Sequence, residues 1–147
     1  VSSAPFDVQL VIERLRARVP ALQHVDGASA YAAVKSLADF RTPCAYVLLA
    51  NERPAGDMGR AGTQQTTATF GVVLAVRSYR DMRGEAAMDD ASPLIGEIRQ
   101  QIINWIPPVQ GGKPCRWQQG DVLDYDATTL LWCDVFATEH FITGGTP

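Results

Sequence analysis

Two histidines, His24 and His140, and three cysteines, Cys44, Cys115 and Cys133, are the residues from which a thiol nucleophile and its base would be drawn. Thiol chemistry needs a thiolate, stabilised by nearby positive charge and within reach of an imidazole. Cys44 and Cys133 stand instead inside apolar runs, where burial favours the neutral thiol, and no Gly-x-Ser-x-Gly turn supplies a serine in their place. His24 falls in a segment between elements and His140 near the end of the last strand-like run, neither beside a nucleophile motif. The reading predicts no catalytic residue.

Asp121, Asp124 and Asp126 crowd one segment and raise the question of a cation. A calcium loop opening at Asp121 would need Gly at its sixth position and Glu at its twelfth, and those positions hold Asp126 and Trp132. Turn formation through side chain to backbone hydrogen bonds accounts for the cluster, and no metal site is predicted. Paired-carboxylate hydrolysis would need a cleft that nothing marks. Gly56, Gly59 and Gly62 match neither Gly-x-Gly-x-x-Gly nor the P-loop, so no phosphate or cofactor site is predicted. Of the three tryptophans, Trp105 and Trp132 lie on apolar stripes and read as core, whereas Trp117, between Arg116 and Gln118, reads as an interface anchor.

Composition agrees with a chain that works through surfaces. Its 147 residues suffice for one well-buried core, and a formal charge of -3 provides no field to hold nucleic acid or an anionic membrane. Of 13 basic residues only Lys35 and Lys113 are Lys, a bias that fits either base composition or interfaces, where Arg is favoured. Three cysteines without Cys-x-x-Cys spacing read as buried free thiols of a reducing compartment. Charges within the first apolar stretch argue against a secretory or membrane-spanning segment there.

The elements that hold these residues follow from periodicity. Val8, Val11, Ile12, Leu15 and Val19 recur at helical spacing after Pro5, with Ser3 as a candidate cap. Ser29 to Phe40 reads as a weaker helix, although Val25 to Ala28 could equally introduce a strand. Cys44 to Ala50 is a short buried strand. In Gln64 to Arg80, Ala68, Phe70, Val72, Leu74 and Val76 alternate with Thr69, Gly71, Val73 and Ala75, as in a strand covered on one face and partly on the other.

Ser92-Pro93 is expected to open a helix with Ile95, Ile98, Ile102 and Trp105 inward and Leu94 and Ile106 beside them, stopped by Pro107-Pro108. Cys115 to Leu123 and Thr129 to Ile142 form a second hairpin, its last strand central because both its faces begin apolar. The expectation is one α+β domain over residues 1–147, a mainly antiparallel sheet of about four strands with two or three helices packed on it, in the order α-α-β-β-α-β-β.

Two polar segments, 51–63 and 80–91, are expected to be flexible loops, and the end from Thr143 to Pro147 a flexible tail. The first loop exceeds what a hairpin requires. It reads either as a surface loop or as an arm ordered by a partner, with Arg53, Asp57, Met58 and Arg60 as candidate contact residues.

The helix ending in Trp-Ile-Pro-Pro, the Gly-rich linker, the segment Cys115 to Tyr125 and the closing strand through Trp132-Cys133-Asp134-Val135-Phe136 resemble the small tail-terminator proteins of tailed bacteriophages. The opening helix from Phe6 to Val19 and the strand pair around the polar loop are similar too. The resemblance implies a structural subunit of a homo-oligomeric ring, typically hexameric, which caps the finished tail tube, stops its polymerisation and joins it to the head. Implied partners are the tail tube protein, head-tail connector or neck proteins, and sheath protein if the tail is contractile. DNA would be met only in passage through the ring, and no membrane is involved. The implied place is the virion tail or neck, after assembly in the host cytoplasm. Alternatives are another neck or tail-completion protein, or a small-ligand-binding α+β domain with Tyr46, Tyr79 or His140 at a cavity.

Overall fold

The computed structural model describes residues 3–77 and 85–146, with side chains from 88 onward in the second stretch. Among the described residues ten elements follow one another: α1 (Gln9–Arg18), β1 (His24–Asp26), α2 (Ala28–Ala33), a 3-10 turn (Leu37–Asp39), β2 (Cys44–Pro54), a second 3-10 turn (Arg60–Gly62), β3 (Thr63–Arg77), α3 (Glu85–Ile102), β4 (Arg116–Tyr125) and β5 (Thr129–Thr143). The strands form one sheet in the order β1-β2-β3-β5-β4. Neighbours are antiparallel except β1 and β2, which are parallel.

The α+β class stands as expected, with two corrections. The sheet has five strands and is mixed, because His24–Asp26 adds to the outer side of Cys44–Tyr46. The expected helix from Ser29 to Phe40 is broken into α2 and the 3-10 turn. Val34 is extended at its C-cap and Ser36 is extended before the turn.

Alternation divides the core between the two faces of the sheet. Phe70, Val72, Leu74, Leu130 and Phe136 point to the face covered by α1 and α3, where they meet Val11, Ile12, Leu15, Ile95, Ile98 and Ile102. Each fully buried aliphatic there contributes roughly 1.5–3 kcal/mol. Phe6, Phe70 and Phe136 stack in succession across the strands with centroids 5.7 Å apart. A smaller cluster of Phe40, Cys44, Tyr46, Val73, Ala75 and Leu131 fills the other face beneath α2. β5 lies between β3 and β4, as its two apolar faces predict.

Several boundaries move. Ser3 does not cap α1: its Oγ donates to the Thr143 carbonyl, and Asp7 Oδ1 accepts the Gln9 N–H at 3.0 Å. α3 starts before Ser92-Pro93, so Pro93 lies inside it. Pro93 is on the exposed face, where solvent can reach the carbonyl left without a donor, while Ala91, Leu94 and Ile95 stay buried on the other. The helix ends at Ile102, before the prolines, because Asn104 turns left-handed (φ 68°) and its N–H donates to the Cys115 carbonyl at 2.8 Å. Trp105 is therefore only partly buried and Ile106 is exposed.

The first residues of the expected loop 51–63 are paired. β2 runs on to Pro54 opposite Thr66, and only the tip beyond it turns. Of the expected loop 80–91, residues 85–91 are helical and 80–84 fall outside the described residues, as does Tyr79. At the far end β5 continues to Thr143, and Gly144 N–H donates to the Gly62 carbonyl at 3.1 Å. Among the described residues no helix is long and apolar enough to cross a membrane.

Candidate interaction surface

The hairpin of β2 and β3 is a ladder from Cys44↔Ala75 to Pro54↔Thr66, with an irregularity between Leu49 and Asn51. Its tip closes on itself: Ala55 N–H donates to the Gln65 carbonyl (2.9 Å), Gln64 Nε2 to the Gly56 carbonyl (3.0 Å) and Gly59 N–H to the Thr63 carbonyl (2.6 Å). Gly56 (φ 106°) is left-handed, as is Gly62, so two of the glycines serve the turn. Asp57, Met58 and Arg60 crown the tip, and Met58 is 69% exposed. Met58, Ala61 and Gly62 share a cavity of about 460 Å³ with Gly144–Thr146. Arg53 stands lower on the stem, exposed, beside Thr67 and Gln118.

Trp117 is not part of that cluster. It pairs with Phe136 and so faces the α3 side of the sheet, while Arg53, paired with Thr67, faces the other. The Trp117 ring is 43% exposed yet tied down: its Nε1–H donates to Asp134 Oδ1 at 3.0 Å, and the Arg99 guanidinium lies 4.8 Å from its centroid.

Asp134, with a side chain only 3% exposed, is the centre of this arrangement. Arg99 grips it with Nε on Oδ2 and Nη2 on Oδ1, both at 2.8 Å, and Trp132 Nε1–H adds a further bond at 3.0 Å. The hydrogen bond to Asp134 raises the Arg99 pKa above its ordinary value, so the guanidinium keeps its charge. Gly120 crosses directly over the pair, where a Cβ would meet Trp132 Cζ2 at 2.6 Å and Asp134 Oδ1 at 2.7 Å. The network joins α3, β5 and β4. Sequence reasoning missed it, although Asp134 was visible as the one charge on the inward set Leu130, Trp132 and Phe136.

β4 itself is almost wholly exposed, with irregularities at Gln118 and Leu123. Tyr125 is 66% exposed, and Val122 and Leu123 about half. Asp126 serves the turn as expected: backbone N–H groups of Thr128 and Thr129 donate to its carboxylate and hold its pKa below the ordinary value.

Two largely buried groups near the chain's start pair with each other. His140 Nε2 meets Glu52 Oε2 at 2.6 Å, and the Phe6 N–H donates to the same oxygen at 3.1 Å. The pair lies behind a groove of about 710 Å³ lined by Pro5, Phe6, Leu49, Val109 and Phe141 among others. Tyr46 is buried among Tyr31 and Phe40 and its pKa is pushed up to about 12, chiefly by burial. Burial likewise raises the thiols of Cys44, Cys115 and Cys133. Among the described residues no three His, Cys, Asp or Glu side chains stand together as metal ligands.

Among the described residues the sheet ends at β4 with no further strand beyond it, a margin open to pairing. The chain belongs to the phage tail terminator protein family, whose model matches residues 1–147. No curated protein matches the sequence. That family is structural, and membership makes the chain a component of the virion tail that acts in tail assembly and meets other tail or neck components.

Proposed function

We propose that this protein forms a ring, hexameric as in the resemblance drawn above, that caps the finished tail tube, stops its polymerisation and offers the surface to which the head is joined. The observation that carries this reading is the family match over the whole chain. Its partners are then the tail tube protein, the head-tail connector or neck proteins and, where the tail is contractile, the sheath, with DNA passing through the ring. Arg53, Asp57, Met58 and Arg60 are contact residues in this reading. Their support is the hydrogen-bonded turn beneath them, since a turn already closed by its own bonds lowers the ordering cost of binding. Trp117 is an interface anchor in this reading, its half-exposed ring held in place by the bond to Asp134. The function needs no catalytic residue, metal or cofactor.

Mass measured in solution by light scattering, alone and with tube protein, tests the assembly. A closed oligomer of six copies is expected. A strict monomer under both conditions contradicts it. The groove beside His140 favours a second reading as a ligand-binding domain. A large, saturable thermal shift with one of a panel of metabolites would support that reading over the ring.

A further inference from the structure

Arg16, Arg99, Lys113 and Arg116 each stand against a carboxylate. Arg14, on the outer side of α1, is held by other groups. Its Nε donates to the Gln101 carbonyl at 2.6 Å, and its guanidinium lies 4.7 Å from the centroid of the Trp105 ring. The indole backs the guanidinium and the carbonyl takes Nε, so both terminal nitrogens are left without a partner among the described residues.

Arg18 follows one turn later on the same side of α1, exposed and in no ion pair among the described residues. Its place in the last turn suits the helix dipole, but that leaves Arg14 unexplained. Burial and the charge of Arg18 hold the Arg14 pKa below its ordinary value. Like charges one turn apart disfavour the helix that carries them. Apolar surface borders the pair: Leu10 stands one turn before Arg14, partly buried like Trp105, and Ile106 is 55% exposed.

We propose that Arg14 and Arg18, backed by Trp105, receive a carboxylate side chain of another protein of the tail, whose apolar residues beside it meet Leu10 and Ile106. This goes beyond the ring reading and does not depend on it. A guanidinium already oriented, with its terminal nitrogens free, offers paired N–H donors to a carboxylate and loses little freedom on binding. An incoming negative charge also relieves the repulsion between the two arginines. Arginine and tryptophan are the side chains that most often carry the energy of protein interfaces. Nucleic acid is matched less well, because two cations among apolar neighbours, on a chain of formal charge -3, do not form the basic track that a phosphate backbone needs.

A probe of stated chemistry tests the site. The peptide acetyl-Glu-Leu-Glu-amide, its Gln-Leu-Gln counterpart and a short DNA duplex are titrated at low salt into the full chain, and the Arg14 Nε–H and Trp105 Nε1–H resonances are followed by NMR. The acidic peptide should move both to saturation and the Gln peptide neither. Arg14→Lys keeps the charge and loses the planar fork, while Arg18→Gln removes an exposed charge; thermal melts establish that both variants fold. Each should raise the Kd of the acidic peptide at least about fivefold, read at Trp105. An equal response to both peptides, binding that neither substitution weakens, or tighter binding of the duplex overturns the site. Light scattering adds a further check: Arg18→Gln should leave the parent's mass in solution unchanged. Loss of an oligomer that the parent forms would give this surface to a second copy and overturn the assignment to a different protein. Every one of the peptide results leaves the ring reading as it was.

Discussion

Asp134 carries more of the second hairpin than any apolar residue on β4, because that strand buries little of its own. Removing a carboxylate held by Arg99 and two indole N–H groups leaves these donors without their acceptor, with Arg99 itself still partly in solvent, and such losses cost about 1–3 kcal/mol. Asp134→Ala should therefore lower the denaturant midpoint, and a loss under about 1 kcal/mol would show that the network is decorative. Gly120→Ala should cost about 1–3 kcal/mol by forcing the same groups apart. The polarity of Asp134 amid apolar residues was legible in the sequence, but its partner was not. Arg99 is 35 residues away, and only the packing of α3 on β5 brings them together. Trp117 was read from the sequence as an interface anchor; its bond to Asp134 needed the same tertiary information.

At the scale of elements, the strands and the buried stripe of α3 were legible because burial imposes a period. The boundaries were not, since they rest on contacts made by other elements. Asn104 ends α3 early only because Cys115 returns to accept its N–H, and β1 exists only because β2 offers it an edge. The β4–β5 turn has a definite pH signature. The Asp126 pKa is lower folded than its ordinary 3.8, so its stabilising contribution is complete above that value and disappears as pH falls through the folded pKa. Thermal melts of Asp126→Ala against the parent should show a gap at neutral pH that narrows in acid. A gap independent of pH would locate the turn's stability elsewhere. In the central strands, Phe136→Ala should cost about 3–5 kcal/mol by denaturant titration, since the ring is fully buried in the aromatic stack.

For the whole molecule, family was legible before structure, from the order of elements and the segments around Trp132-Cys133-Asp134-Val135-Phe136. Surfaces were less so. The polar segment 51–63 was read either as a surface loop or as an arm, and its composition conceals the ladder from Asn51↔Thr69 to Pro54↔Thr66 by which β2 runs into it. Met58→Glu with Arg60→Glu should leave the melting temperature within about 1 °C, being exposed, while weakening tube capping at least about tenfold. Unchanged capping would remove the tip from the contact surface.

The most direct measurement is made on the tube. Tail tube protein polymerising with and without this chain is imaged by negative-stain electron microscopy, and the lengths and ends are scored. The account predicts a ring with a central hole on one end of each tube and growth arrested there. Tubes that lengthen without limit and carry bare ends, with this chain free in solution, would contradict it.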